Sequence, residues 1–182
     1  MLGVYRSEDG SAFSIALIYE EVLVVKVHPD ILEQQKLPPG KRGKGFWEAH
    51  YEDINGFEHH LVRNGLVILK FFLNVSKEEQ KRRFLERLER PEKHWKFSAS
   101  DLEERVYWDR YMEAYEDALS ATSTEWAPWY VIPADNKWGM RAIVADIVTT
   151  TICSLDLSYP EMTEEQRKAL AEARAKLADE DE

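Results

Sequence analysis

The stretch LVILKFFLNVSKEE, residues 66–79, decides the fold class. Its first ten residues, Leu66 to Val75, are nearly all apolar and rich in branched and aromatic side chains, which predicts a central β-strand covered on both faces. Ser76, Lys77, Glu78 and Glu79 then spell a capping box, in which the serine hydroxyl and the Glu79 carboxylate each satisfy a free amide at a helix start. A strand that runs straight into a capped helix is the building unit of a layered α/β domain.

Upstream of this unit, Trp47, Tyr51, Ile54, Phe57 or Glu58, and Leu61 recur at three- and four-residue steps. That period predicts a helix over 46–64, stopped by Gly65. Residues 15–27 (IALIYEEVLVVKV) suit a strand by propensity and a buried helix by length. Residues 36–45 are a loop by their Pro and Gly content, and residues 1–14 show no period. Downstream, the capped helix runs to about Glu89, and Ser100-Asp101-Leu102-Glu103 opens another that carries Trp108, Tyr111, Tyr115 and Leu119 on one face. Residues 129–133 (WYVIP) form a short strand and 138–155 a helix. The last segment, TEEQRKALAEARAKLADEDE, is a charged helix that frays into acid. Helix, strand, helix, helix, strand, helix is the order of an α/β domain with a mostly parallel sheet.

The chain has 182 residues, 44% of them hydrophobic, enough for one compact domain with a real core. A formal net charge of −10 argues against a general nucleic-acid binder. The charge is uneven. Residues 161–182 hold eight acids against four basic residues, whereas residues 70–100 hold nine Lys/Arg against five Glu. An anionic ligand would be drawn to the second segment. Cys153 is the lone cysteine, which fits a reducing compartment, and no apolar run approaches the ~20 residues of a membrane helix. With no secretory signal visible at the start, the cytoplasm is the expected location.

GKRGKG, residues 40–45, looks like a phosphate loop and fails the test for one. A Walker-type loop needs a glycine five residues before its Gly-Lys pair, and those positions are Gln35 and Pro38. The basic segment is the better candidate. Arg83, Arg87 and Arg90 stand at i, i+4 and i+7, with Lys93, His94 and Lys96 beyond, and a row of guanidiniums suits a polyanion. The same spacing also puts Glu79 four before Arg83 and Glu86 four before Arg90, so an ion-paired, solvated helix face explains it equally. His59 and His60 face different directions on a helix, and His28 and His50 have no ligand pattern nearby, so no histidine metal site is expected. Trp126, Trp129 and Trp138 read as core or interface aromatics, or less readily as base-stacking platforms. Asp135, Asn136 and Lys137 follow a strand and fall on the carboxyl edge where α/β sheets bind ligands; a helix cap explains Asp135 as well.

Three stretches, ILKFFLNVSKEEQKRRFLERLERPEKHWKFSASDLEER, YWDRYMEAYEDALSATSTEWAPWYVIPADNKW and EEVLVVKVHPDIL, together closely resemble the type 2 polyphosphate kinase family over about residues 19–160. The resemblance implies a three-layer α/β/α P-loop kinase fold with a helical lid. It implies phosphoryl transfer between inorganic polyphosphate and nucleoside mono- or diphosphates, with magnesium. It places EEVLVVKVHP on a helix and makes residues 77–105 the lid, with Arg82, Arg83, Arg87, Lys93, Lys96 and Arg105 as phosphate-chain contacts. Asp135, Asn136 and Lys137 remain nucleotide-edge candidates. Residues 1–160 then form the C-terminal portion of such a domain, and 161–182 a charged terminal helix.

The sequence also departs from that family. Its members carry a Walker A loop of the form GxDxxGKG, which does not occur in these residues, and a Walker B-like (D/N)RSxY segment whose acid or amide and arginine fall here on Ile15 and Ala16. Neither side chain can ligate magnesium or neutralise a phosphate, so no metal ligands and no complete catalytic set are expected in the chain. Phosphoryl transfer is mostly positioning and charge neutralisation. The expectation is therefore a chain inactive alone, working with a P-loop fragment or an intact homologue, or as a homo-oligomer. The alternative is a non-catalytic polyphosphate-binding or regulatory module.

Overall fold

The computed structural model describes residues 19–34, 45–159 and 161–179. The chain divides into two compact units between Val144 and Ala145.

The first described element of the first unit is α1, residues 19–27, whose middle, Glu21–Val25, is wound as a π-helix. This settles the ambiguous apolar segment in favour of a helix, as far as it is described; residues 15–18 lie outside the described residues. Val22, Leu23, Val25 and Val27 are all buried, so tertiary packing has overridden the strand preference of branched residues. A short α2, Pro29–Gln34, follows. The expected loop at 36–45 falls outside the described residues except for Gly45.

The helix expected over 46–64 is α3, Phe46–Arg63. Its end is a Schellman motif. Gly65 takes the left-handed conformation at φ 90°, its N–H donates to the Val62 carbonyl at 2.9 Å, and the Leu66 N–H donates to the Leu61 carbonyl at 3.2 Å. Leaving the helix this way consumes the first apolar residues of LVILKFFLNV. Strand β1 is accordingly shorter than expected, Lys70–Asn74, with Leu66 and Val67 exposed before it. Nor is it sealed on both faces, since Leu73 keeps 44% of its surface.

Strand β2, Trp129–Pro133, pairs parallel with β1 in the register Lys70↔Trp129 to Asn74↔Pro133. Parallel neighbours need a long crossover. It is built from α4 (Lys77–Glu89), a 3-10 turn (Pro91–Lys96), α5 (Ala99–Glu104), a second 3-10 turn (Arg105–Tyr107) and α6 (Trp108–Thr122). The one long helix expected from residue 100 is thus broken at Arg105. Its buried seam is Ala114, Ala118 and Thr122, one residue apart from the expected aromatic face; Tyr111 and Tyr115 flank it, half-buried. Side chains this small let α6 lie close against Val22 and Leu23 of α1 and Tyr51 and Ile54 of α3, which together form the core.

Helix α7, Lys137–Ser154, starts at the end of β2 and continues across the division between the units. The second unit contains α8, Glu164–Asp179. Its start is a reciprocal cap: the Gln166 N–H donates to the Thr163 hydroxyl at 3.2 Å and the Thr163 N–H donates to Oε1 of Gln166 at 2.9 Å. No helix among the described residues is long and apolar enough to cross a membrane.

Candidate functional site

The carboxyl ends of β1 and β2 lie side by side, held by a 2.8 Å bond from the Ala134 N–H to the Asn74 carbonyl. Each strand then turns into a helix, so the N-termini of α4 and α7 both start at this edge. Free N–H groups at a helix start favour an anion. The sequence fills both starts. The Ser76 hydroxyl accepts from the Glu79 N–H at 3.1 Å, and Oδ1 of Asn136 accepts from the N–H groups of Trp138 and Gly139 at 3.1 and 3.0 Å.

Only half of the expected capping box forms at α4. The Glu79 carboxylate does not return to Ser76, because it takes both Arg82 and Arg83 instead. The Ser76 N–H donates to Oδ1 of Asp135 at 2.7 Å, so the residue after β2 caps the helix after β1. Arg83 closes the same junction from the other side, donating through Nη2 to the carbonyls of Ala134 at 2.6 Å and Asp135 at 3.3 Å. Asp135, Asn136 and Arg83 therefore meet at one edge, and each has a structural partner there. Lys137 is exposed at the first position of α7.

The other lid candidates fan out. Arg82, 61% exposed, forks onto both oxygens of Glu79 at 2.6 and 2.7 Å. Arg87 lies 3.7 Å from Asp101 of α5 and 5.4 Å over the ring of Phe84. Lys93 donates to Glu86 at 2.5 Å, Lys96 sits 4.8 Å over the exposed ring of Trp95, and Arg105 donates to Oε1 of Gln80. The row Arg83, Arg87 and Arg90 does not act as one face, for its members turn to the β2 edge, to α5 and to Glu86. The ion pairs expected between Glu79 and Arg83 and between Glu86 and Arg90 both form. Arg82 and Arg83 hold the Glu79 carboxyl well down, at about 2, and the bond from Lys93 holds that of Glu86 below the usual carboxylate range.

Below this edge, at the amino end of the strands, lies a polar cluster that periodicity alone did not resolve. Lys70 starts β1 with its side chain in the core, donating to Oε2 of Glu58 at 2.6 Å, the Thr122 carbonyl at 2.7 Å and the Tyr19 hydroxyl at 3.3 Å. Glu58 has no solvent exposure, and its Oε1 accepts from the Tyr19 hydroxyl at 2.8 Å. The Trp129 indole donates to the Thr122 hydroxyl at 2.9 Å and presents its ring to Lys70 at 5.2 Å. Trp129 is thus a core aromatic. Burial pushes the Tyr19 phenol well above its ordinary value, so it stays a donor, and burial lowers the Lys70 amine against the pull of Glu58. The signals were present in the sequence: a lone lysine in an apolar strand, and a glutamate competing with Phe57 for the inner position of a helix.

The acid at the sheet edge, Asp135, spends Oδ1 on the Ser76 N–H, and no group of three or more His, Cys, Asp or Glu side chains gathers among the described residues. Ile15 and Ala16 lie outside the described residues, as do residues 40–44 of GKRGKG.

The family described as Polyphosphate kinase 2 (PPK2) matches residues 17–159. The chain is 54% identical over 160 residues to an ADP-polyphosphate phosphotransferase of Rhodopseudomonas palustris, covering 87% of this chain and 55% of that protein. It is 46% identical over 154 residues to an AMP/ADP-polyphosphate phosphotransferase of Meiothermus ruber, covering 85% and 54%. The chain spans about half the length of these two relatives. Its structure is similar to that of polyphosphate kinase 2 from Arthrobacter aurescens TC1, with a TM-score of 0.70 at 41% identity over 85% of this chain and 52% of that one. The parallel strand pair and its crossover are therefore part of a P-loop kinase-like α/β fold, and the chain belongs to the polyphosphate kinase 2 family.

Proposed function

We propose that this chain serves phosphoryl transfer between inorganic polyphosphate and a nucleoside mono- or diphosphate, and that residues 77–105 are the part that holds the phosphate chain. One observation supports this reading: within a family domain, a cation-rich segment leaves the carboxyl edge of the parallel strands through α4, whose Arg83 is bound to that edge. Arg82, Arg87, Lys93 and Lys96 supply the accessible charges, and Arg105 braces the segment against Gln80. Arg83 anchors α4 to the edge through the Ala134 and Asp135 carbonyls, and exposed Lys137 at the start of α7 is the candidate contact for a nucleotide phosphate. Guanidinium and ammonium groups paired with the partly buried Glu79, Glu86 and Asp101 can exchange these carboxylates for phosphate oxygens.

The 182 residues are expected to be inactive on their own, because no GxDxxGKG stretch occurs in them and Ile15 and Ala16 replace the side chains that would neutralise the reacting phosphates. A P-loop supplied from outside these 182 residues would complete the site. The test is a phosphotransfer assay with polyphosphate, magnesium and ADP or AMP, run on these residues alone and mixed with the portion of the Rhodopseudomonas palustris relative outside the match. No turnover alone and turnover on mixing is the expected result. Turnover alone would refute the assignment of the phosphate cradle to residues outside these 182. Polyphosphate binding without turnover in either arm would favour a binding or regulatory module.

A further inference from the structure

Three cations, exposed Arg82 of α4, exposed Arg90 just after it and partly buried Lys93 of the turn that follows, converge on one carboxylate. Glu86 lies 2.5 Å from Nζ of Lys93, 3.6 Å from Nη1 of Arg90 and 3.8 Å from Nη1 of Arg82. Arg82 stands one turn before it and Arg90 one turn after. Lys93 arrives differently: Pro91 ends α4 and opens a 3-10 turn, which swings the chain back so that a residue seven positions on reaches the same acid. The Glu86 side chain is only 26% exposed, so the three cations enclose it. Residues 77–105 as a whole carry nine Lys/Arg and eight Asp/Glu, a segment that nearly cancels its own charge.

We infer that Glu86 is an internal counter-anion, which occupies Arg82 and Lys93 of the phosphate-chain site together with neighbouring Arg90 and makes that site select long polyphosphate over short phosphates. This rests on the reading of residues 77–105 as the polyphosphate-holding segment. The selection follows from competition. A single phosphate offers Arg82, Arg90 and Lys93 little more than Glu86 already supplies, and it must also displace Glu86. A chain of linked phosphates can serve the three cations at once, and after the first contact the others form at high effective concentration. The carboxylate is therefore a toll that short anions feel most.

The test is a titration of the 182-residue protein at low salt with orthophosphate, tripolyphosphate and long-chain polyphosphate. It compares the native sequence with Glu86→Gln, Glu86→Asp and Glu89→Gln, where Glu89 is an exposed acid of α4 outside the three-cation cluster. Glu86→Gln is expected to bind tripolyphosphate roughly fivefold more tightly, with a smaller gain for the long chain. Glu86→Asp, which keeps the charge, is expected to stay within about twofold of the native protein, and Glu89→Gln to change all three ligands by about twofold or less. Equal shifts for Glu86→Gln and Glu89→Gln on every ligand, with the native protein still binding the long chain, would overturn the inference alone. No binding of long polyphosphate by any form would overturn both the inference and the reading beneath it.

Discussion

The ammonium of Lys70 lies 2.6 Å from the carboxylate of Glu58, with the lysine 6% exposed and the glutamate fully enclosed. The pair joins the first residue of β1 to the middle of α3, and Tyr19 and the Thr122 carbonyl bring α1 and the end of α6 to the same point. Four elements of the first unit are tied by one polar cluster under the strand pair.

Removing one partner leaves the other as an unpaired buried charge. Lys70→Met or Glu58→Leu alone is expected to cost on the order of 3–5 kcal/mol in urea unfolding. The double substitution is expected to cost less than the sum of the two, since it removes both charges together. Strict additivity would show that the pair is not the organising contact.

At the opposite end of the strands, Ser76 and Asp135 cap one helix from two segments far apart in sequence. Ser76→Ala and Asp135→Ala are each expected to destabilise the fold by about 1 kcal/mol, the usual worth of a cap. A double-mutant cycle should show coupling, because both groups satisfy the same helix start.

The depressed carboxyl of Glu79 gives α4 an acid sensitivity. Its charged form is bound by Arg82 and Arg83 in the folded protein, which brings it from an ordinary 4.5 to about 2. The stabilisation is therefore complete above the ordinary value and is lost as the pH falls through about 2. The difference in stability between the native protein and Glu79→Gln is expected to shrink as the pH is lowered from about 5 towards 2, followed by far-UV circular dichroism during unfolding. A difference that stays constant over that range would contradict the pairing.

The close packing of α6 makes a steric prediction. Ala118 has no exposed surface and sits in the core with Val22, Leu23, Tyr51 and Ile54. Ala118→Leu is expected to cost about 1–3 kcal/mol by overpacking, measured as a lowered urea midpoint.

What the residues disclosed in advance follows from how local the deciding physics was. Ser76 with its helix, Gly65 as a stop, WYVIP as a strand and the helix after it are local signals, and each is found. The winding of α1 was not local: a run such as EEVLVVKV suits strand or helix until α3 and α6 pack on it. Glu58 could not be chosen over Phe57 by period alone, because the choice depends on Lys70, twelve residues away and on another element. The basic segment was visible as composition, while the division of its cations among Glu79, Glu86, Asp101 and the β2 carbonyls required the fold.

The central claim is that residues 77–105 hold a phosphate chain, and a polyphosphate titration tests it most directly. Affinity of the native 182-residue protein for long-chain polyphosphate would be measured between about 50 and 200 mM salt, beside Arg87→Ala with Lys96→Ala. Tight binding at low salt that falls steeply with added salt, and roughly tenfold weaker binding by the double variant, is the predicted result. Binding by the variant equal to the native protein at every salt concentration would contradict it.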